Sequence, residues 1–545
     1  MEPREVPRPT QPSPEPAPQG WLGWVERMGN RLPDPVGIFL IGLALVFLVS
    51  QLADWGEWTV ERQLPVLVET ADGAEELVWE TTGQVYQARG LLSSDGIYWL
   101  LSTMVDNFIQ FPPLGVVLAA MLGIGLADRT GLIPAGLRAV LLVTPAVLLT
   151  PSMVMIGILS SMTLDAGYVL LIPLAGAIYH TCGRSPVAGM AAAYAGVSAG
   201  FSANLFLTSL DPMLAGFSQM GAQTIDPNYQ VSPAANLYFM IVSTFVITAL
   251  GWAVTSWVVE PRLRRAKIDT VDHDAAELVA QSRITPTERR GLWVAGTVFL
   301  LFLGICIFLV KTPGMPLHGP GEGPFARWVE AIVPLILLGA LLPGIAYGIT
   351  VGTLRSDRDL AKMMGATMAD MAPIVVLAFF AAQFIEAFRY SGLDAMLAVA
   401  GGQFLGQAEL PRGFLILAFI AFVMFFNLFI GSMSAKYALL APIFVPMLML
   451  VGISPELTQV AYRIGDSVTN IITPLMPYIV IILVFIRKYA PNAGIGTLIA
   501  TMLPYTIAFS IGWSLLLLLW IFLGIPLGPD GALFFDWSDL SALSD

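Results

Sequence analysis

Apolar stretches of about 20 residues recur along the chain between short polar segments, the spacing expected of helices that cross a bilayer. They predict spans near 36–53, 113–131, 236–259, 292–310, 329–352, 371–399 and 496–525. Four further apolar stretches are interrupted. Residues 137–182 hold two short arms around Ser160-Ser161-Met162-Thr163-Leu164-Asp165-Ala166-Gly167, and residues 412–452 hold two arms around a polar knot at Gly431 to Tyr437. Both read as re-entrant hairpins, because a stretch broken by such a knot is too interrupted for one crossing. Residues 186–215, interrupted at Gly200 to Asn204, and 456–486, interrupted at Ser467 to Asn470, read as broken helices. The pattern predicts an all-α polytopic membrane protein with about nine transmembrane helices plus two re-entrant hairpins.

The interruptions are duplicated. Tyr168, Pro173, Gly183, Ser185, Pro186, Gly196 and Ser198 reappear 269 positions later as Tyr437, Pro442, Gly452, Ser454, Pro455, Gly465 and Ser467. Ser202-Ala203-Asn204-Leu205 is echoed by Val468-Thr469-Asn470-Ile471 at an offset of 266, so one gap of three residues reconciles the copies. Lys and Arg orient the spans, because they concentrate in short cytoplasmic loops. Arg129 and Arg138, the group from Arg262 to Arg290, Arg355, Arg358 and Lys362, and Arg487 and Lys488 are assigned inside. Residues 54–95 hold nine acidic residues against Arg62 and Arg89, and 216–235 have no Lys or Arg, so both are assigned outside. The first copy, 96–259, then starts from the outside and the second, 353–525, from the inside. Unwound backbone survives at membrane depth only where it is buried in protein or lines a cavity. An inverted repeat with broken helices therefore implies a carrier that alternates access to a site near the midplane.

The remaining segments follow from the same reasoning. Residues 1–20, with seven prolines, read as a disordered cytoplasmic tail. Residues 21–53 supply an interfacial anchor (Trp21, Trp24, Arg27, Arg31) and the first span. Residues 54–95 form an extracytoplasmic loop, 260–291 a cytoplasmic loop, 292–352 two connecting spans and 526–545 an extracytoplasmic tail.

Composition changes the picture mainly by exclusion. Hydrophobic residues at 56%, charged residues at 12% and a mean hydropathy of +0.74 rule out a soluble globule. The net charge of -12 comes from loops and tail, and no basic patch points to nucleic acid. Cys182 and Cys306 form no metal or disulfide pattern and read as buried apolar thiols. His180, His273 and His318 are scattered, and no Walker A, HExxH or GxSxG sequence is present, which argues against an enzyme or a nucleotide-driven pump.

Chemistry is expected where ionisable groups lie at membrane depth, since each costs about 2.5–3.5 kcal/mol on insertion scales. Arg463 and Asp466, three positions apart in the second broken helix, share a face. Arg463 suits a substrate carboxylate; Asp466 suits a proton, a cation or neutralisation of Arg463. Asp165 at the first hairpin tip is a second coupling candidate, with an N-cap as its structural reading. Asp211 before Pro212 reads as an N-cap followed by proline, and after Asp466 it stands with Asp165 as a candidate for ion coupling. Ser434, Thr469, Asn470 and Thr473, with Ser202, Asn204 and Thr208 in the other copy, offer oxygens to a small ion, and Asn204 and Asn470 are the candidates for sodium. Glu386 and Arg389 are spaced to pair with one another.

Five stretches are similar to the p-aminobenzoyl-glutamate transporter (AbgT) family of bacteria: Trp24 to Pro33, Gly200-Phe201-Ser202-Ala203-Asn204-Leu205, Ser209-Leu210-Asp211-Pro212, Ser434 to Pro442 and Tyr462 to Pro474. The resemblance covers roughly residues 21–525. It implies a homodimer of nine-helix protomers in the bacterial inner membrane, in contact with lipid. It also implies movement of p-aminobenzoyl-glutamate, or outward movement of sulfonamide-type antimetabolites, coupled to sodium or protons with no other cofactor. The family's pathway residues fall on Asp211, Asn427, Ser434, Pro455, Arg463 and Asp466. Tyr437 stands where the family usually has Trp, which keeps an aromatic wall with a smaller ring. A sodium-coupled dicarboxylate carrier would share the hairpins and repeats without needing that wall. The loop charges place the N-terminus in the cytoplasm and the C-terminus outside.

Overall fold

The computed structural model describes residues 35–69, 75–162, 167–266, 283–319, 327–328, 331–408, 410–473, 475–476 and 478–535. The N-terminal tail, the tryptophan anchor, Asp165, most of the loop before 283 and the last ten residues lie outside the described residues. The chain opens with α1 (Pro35–Trp55) and an antiparallel pair of strands, β1 (Thr59–Glu69) and β2 (Glu75–Gln87). The first repeat comprises α2 (Ser94–Ile109), α3 (Pro112–Arg129), α4 (Leu132–Val143), the hairpin arms α5 (Leu149–Leu159) and α6 (Ile172–Thr181), α7 (Pro186–Tyr194), α8 (Leu210–Ala222), α9 (Leu237–Val254) and α10 (Glu260–Ala266). A π turn at Ala195–Ala199 extends α7, and another at Thr255–Val259 joins α9 to α10. Two connecting helices follow, α11 (Pro286–Lys311) and α12 (Ile332–Val351). The second repeat then runs α13 (Asp357–Asp370), α14 (Ala372–Tyr390), α15 (Leu393–Gln407), the hairpin arms α16 (Arg412–Asn427) and α17 (Met433–Met449), α18 (Pro455–Thr469), α19 (Ile479–Tyr489) and α20 (Ile495–Leu523).

Among the described residues seven helices have the length and apolarity to cross a membrane. The broken helices divide into α7 with α8 and α18 with α19, each piece shorter than the roughly 20 residues a crossing needs. Element order therefore repeats: an amphipathic helix, a long apolar helix, a shorter helix, a hairpin, a broken helix and a long closing helix.

The residues matched between the copies mark where the chain stops, turns and restarts. Gly183 and Gly452 take left-handed backbone (φ +67° and +79°) after the second hairpin arm, a conformation that costs other residues a steric penalty. Ser185 and Ser454 then cap the broken helices, accepting from the amides of Ala188 and Leu457. Pro186 and Pro455 occupy the first turn, where the missing amide hydrogen is no loss. Gly196 and Gly465 allow contact at backbone distance: a Cβ on Gly196 would lie 2.2 Å from the Val154 carbonyl oxygen, and one on Gly465 would lie 2.7 Å from that of Ile420. Val154 and Ile420 are themselves 266 positions apart, so both broken helices seat on their own hairpin in the same way.

The copies also interlock. Helix α17 packs on α8, α19 packs on α6, and α9 packs on α20. Tyr168, just after the first hairpin tip, stacks on Tyr478 at the start of α19 with ring centres 4.2 Å apart. Around this centre, α1 lies on α14, and α3 lies on α12, which also carries α11.

Several expectations are corrected. The segment 54–95 is not simply a loop but holds β1 and β2, a single hairpin on a chain whose described residues are otherwise helical, as expected. The first hairpin arm begins at Leu149, because Leu132–Val143 forms a separate helix. The predicted span 371–399 is two helices separated by left-handed Gly392 (φ +72°). The polar knot at Gly431 to Tyr437 is mostly helix: Ser432 caps α17, and Ser434 and Tyr437 lie within it. The second break falls after Thr469 rather than at Ser467, and the first runs on to α8 at Leu210. The start of the C-terminal tail is packed, since Ser454 donates to the Ala532 carbonyl (2.7 Å) and Phe239 N–H donates to that of Leu527 (3.0 Å). Cys182 is exposed at the end of α6.

The close approach at Gly196 gives a paired prediction. Gly196→Ala should cost about 1–3 kcal/mol, because a methyl group is forced onto backbone that cannot retreat. Gly296→Ala, where a Cβ meets nothing within 4 Å, should gain about 0.4–1 kcal/mol by restricting the unfolded chain. Thermal unfolding of the purified variants in one detergent checks both signs.

Candidate functional site

Helix α18 carries the chemistry because it takes polar side chains into a wholly enclosed position: every residue from Pro455 to Thr469 is buried. A buried charge must be paired or hydrogen-bonded. Arg463, 2% exposed, pairs with Asp211 in the first turn of α8. The other Asp211 oxygen accepts from Thr208 N–H (2.6 Å) and from the Thr208 hydroxyl (2.9 Å). Asp211 is therefore not the N-cap that the following proline suggested; Ser209 holds that position and makes no side-chain cap. The ion pair ties the broken helix of the second repeat to the break of the first. Arg463 Nε and Nη1 have no partner among the described residues, which leaves donors of the planar fork free to meet an anion.

Arg463 and Asp466 share a helix face but do not pair with each other. Asp466 Oδ1 contacts Lys436 Nζ at 2.5 Å and accepts from the Tyr462 hydroxyl at 3.3 Å, while Oδ2 has no partner among the described residues. Lys436, fully buried, also donates to Asn427 Oδ1 and to the Ile430 carbonyl (3.2 Å). Asn427 Nδ2 faces the Asp466 carbonyl (2.5 Å), Thr469 Oγ1 (2.8 Å) and Asn470 Oδ1 (2.8 Å). The end of α16, the start of α17 and the end of α18 thus meet in one polar cluster. At the equivalent place in the first repeat, Asn204 Nδ2 donates to Ser161 Oγ (2.9 Å), and the buried Ser202 hydroxyl has no partner among the described residues.

Other expected residues lie elsewhere. Tyr437 is fully buried, stacked on Tyr462 with ring centres 4.2 Å apart, and its hydroxyl meets Ser218 at 2.7 Å. It is a closed wall rather than an open face. Ser434 lines a small gap with Met213 and Phe217, on a different side of α17 from Lys436. Pro455 starts α18, eight residues before Arg463, or about 12 Å along the axis, so it is remote from the charges. Thr473 donates to the Leu428 carbonyl at 3.3 Å, near the second hairpin tip. Glu386 and Arg389 pair at 3.1 Å as their spacing predicted.

The sequence reading missed Lys436 as a site residue, although an ammonium inside an apolar run carries the same insertion cost that singled out Arg463 and Asp466. It also missed Glu456, which accepts from the Tyr229 hydroxyl at 3.0 Å, and Gln459, which accepts from Ser218 at 3.0 Å.

The cross-repeat pair supplies a test. Asp211→Ala should destabilise by about 3–5 kcal/mol, because Arg463 is left buried without a counter-charge. Adding Arg463→Met should recover most of that loss, since neutral packing at a buried pair is often no worse than the ions. Thermal unfolding of the two purified variants separates these outcomes.

Comparison with known proteins bears on the same region. A family model described as "AbgT putative transporter family" matches residues 20–535. The p-aminobenzoyl-glutamate transport protein of Escherichia coli (strain K12) is 35% identical over 515 residues, covering 93% of this chain and 96% of that protein. Among solved structures, the Neisseria gonorrhoeae MtrF structure, described as illuminating a class of antimetabolite efflux pumps, aligns with a TM-score of 0.85 and 42% identity, over 94% of this chain and 100% of that one. The Alcanivorax borkumensis YdaH transporter structure aligns with a TM-score of 0.82 and 40% identity, over 91% of this chain and 100% of that one. With the match running through both hairpins and both broken helices, the chain belongs to the AbgT family of membrane transporters.

Proposed function

We propose that the protein carries p-aminobenzoyl-glutamate, or a related aromatic amide bearing carboxylates, across the inner membrane of a bacterium in exchange with or together with a cation. The observation that carries this reading is Arg463. It is buried between the two repeats, its Nε and Nη1 have no partner among the described residues, and the stacked rings of Tyr437 and Tyr462 lie beside it. A carboxylate would complete the guanidinium fork, and the aromatic end of the substrate would take the place of one tyrosine against the other. The 35% identity to the Escherichia coli p-aminobenzoyl-glutamate transport protein supports the substrate class. Sulfonamide-type antimetabolites are a second cargo on this reading, in keeping with the likeness to MtrF.

Cation coupling belongs to the same proposal. Asp466, with one oxygen unpartnered among the described residues, and the oxygens of Thr469 and Asn470 stand at the second break; Asn204 and Ser202 stand at the first. Either break suits a proton or sodium. Asp211, bound to Arg463, would respond to substrate charge rather than to the ion. The loop charges support a cytoplasmic N-terminus and an extracytoplasmic C-terminus, and the family resemblance supports a homodimer.

Counterflow of labelled p-aminobenzoyl-glutamate in proteoliposomes tests the reading, with sodium and proton gradients imposed separately and succinate as a competitor. Efficient displacement by succinate would favour a dicarboxylate carrier instead. Arg463→Ala should weaken p-aminobenzoyl-glutamate binding by about 1.5–3 kcal/mol more than binding of a neutral sulfonamide, because only the former loses a charge-assisted pair. Arg463→Lys should restore only part of that loss, since an ammonium cannot reproduce the planar fork. Equal losses for both ligands would make Arg463 structural.

A further inference from the structure

Lys436 has the most demanding environment of any charge among the described residues: its side chain is fully buried in the first turn of α17. An apolar side chain of the same length would sit there at less cost to stability, so the ammonium needs a reason. Its neighbours give one. Three oxygens from three segments surround it: Asp466 Oδ1 of α18 at 2.5 Å, Asn427 Oδ1 at the end of α16, and the Ile430 carbonyl of the hairpin tip at 3.2 Å. The Asn427 amide cannot be turned round, because its NH2 would then face the ammonium. Held this way, its NH2 ties the shell to Thr469 and Asn470 at the second break. Carboxylate, amide and backbone oxygens of this kind are what a small hard cation takes.

The other charged groups on helices packed against α17 are engaged elsewhere. Asp211 and Arg463 hold each other, and Glu386 and Arg389 hold each other. Asp394 accepts from Thr224 at 3.1 Å, and Glu456 accepts from Tyr229. Among the described residues only Asp466 supplies counter-charge to Lys436, and its second oxygen has no partner.

We propose that Lys436 is an internal cation occupying the place of the coupling ion: its ammonium binds Asp466 when that ion is absent, and a proton on Asp466 or a sodium ion in the same oxygen shell displaces it. A proton added to the Asp466 carboxylate leaves the ammonium, which keeps all three of its protons, among neutral oxygens only. A buried charge without counter-charge is unfavourable, so the ammonium withdraws and releases the hairpin tip from α18. Loss of the proton from Asp466 reverses the step. This inference rests on the transport reading above and adds to it the group with which the cation competes.

Two measurements test it. Wild-type and Lys436→Met proteins in liposomes are compared for uptake of labelled p-aminobenzoyl-glutamate, with sodium raised at fixed pH and, separately, pH lowered at fixed sodium. Without its internal competitor the variant should reach half-maximal uptake at a concentration of one of the two cations at least tenfold lower, which also identifies the coupling ion. An unchanged concentration for both cations overturns the proposal and leaves Lys436 a structural partner. The second measurement needs no substitution: deuterium uptake of residues 428–435 in the unaltered protein, with sodium exchanged for choline at fixed pH and with pH lowered under correction for intrinsic exchange. The tip should exchange several-fold faster with one cation while α11 is unchanged, and indifference to both overturns the proposal. If Lys436→Met does not fold, this second arm decides. Wild-type liposomes that take up no label would defeat the transport reading, and the exchange of residues 428–435 would still judge Lys436.

Discussion

A helix that takes Glu456, Gln459, Arg463, Asp466 and Thr469 into full burial obliges its neighbours to bring a matching group to each. Tyr229 meets Glu456, Ser218 meets Gln459, Asp211 meets Arg463, Lys436 meets Asp466 and Asn427 meets Thr469. Those partners come from α8 and the segment after it, from α17 and from α16. The positions of the first break, the second hairpin tip and the packing of α17 on α8 therefore follow from one requirement, that α18 stay satisfied where water does not reach. Moving any of these elements means breaking at least one of the pairs.

A turn-and-cap unit closes each hairpin after its second arm. Gly183, Ser185 and Pro186 fix how the first broken helix leaves its hairpin, and Gly452, Ser454 and Pro455 do the same in the second. Gly196 and Gly465 then seat each broken helix on the backbone of its own hairpin. Each turn is also pinned from outside: Arg184 holds Glu260 through two contacts (2.6 and 3.2 Å), and the segment after α20 holds Ser454. A hairpin and the helix seated on it are thus built as a unit, and the two units meet where α17 packs on α8.

These units were legible because their residues act locally. Gly with positive φ, Ser at an N-cap and Pro at the first turn signal themselves within a few positions, and repetition 269 residues later made them unmistakable. What sequence could not give was the partner across the repeat. The spacing of Arg463 and Asp466 suggested mutual pairing, but helix spacing says only which face a residue shares, and the groups facing them, Asp211 and Lys436, arrive from 252 and 30 residues away. Tyr437 looked available because its nearest ring, Tyr462, is remote in sequence. The amphipathic α2 and α13, and the strands β1 and β2, were lost for another reason: a search for long apolar windows passes over half-polar helices and edge-type strands.

The duplication is not chemically even. Counted at the repeat offset, Arg463 stands where the first copy has Tyr194, Asp466 where it has Val197, and Lys436 where it has Gly167. The shared polar contact is the one between the breaks and the hairpins, Asn470 with Asn427 in one copy and Asn204 with Ser161 in the other. The common scaffold thus needs an amide at each break, whereas Arg463, Asp466 and Lys436 have no charged counterpart in the first copy, whose contribution is Asp211. Burying a second set would double the desolvation cost, and without a second Asp211 reaching across there would be nothing to offset it. Two folds of the same plan therefore divide the work. The first copy lends Asp211 and an uncharged break, and the second holds Arg463, Asp466 and Lys436.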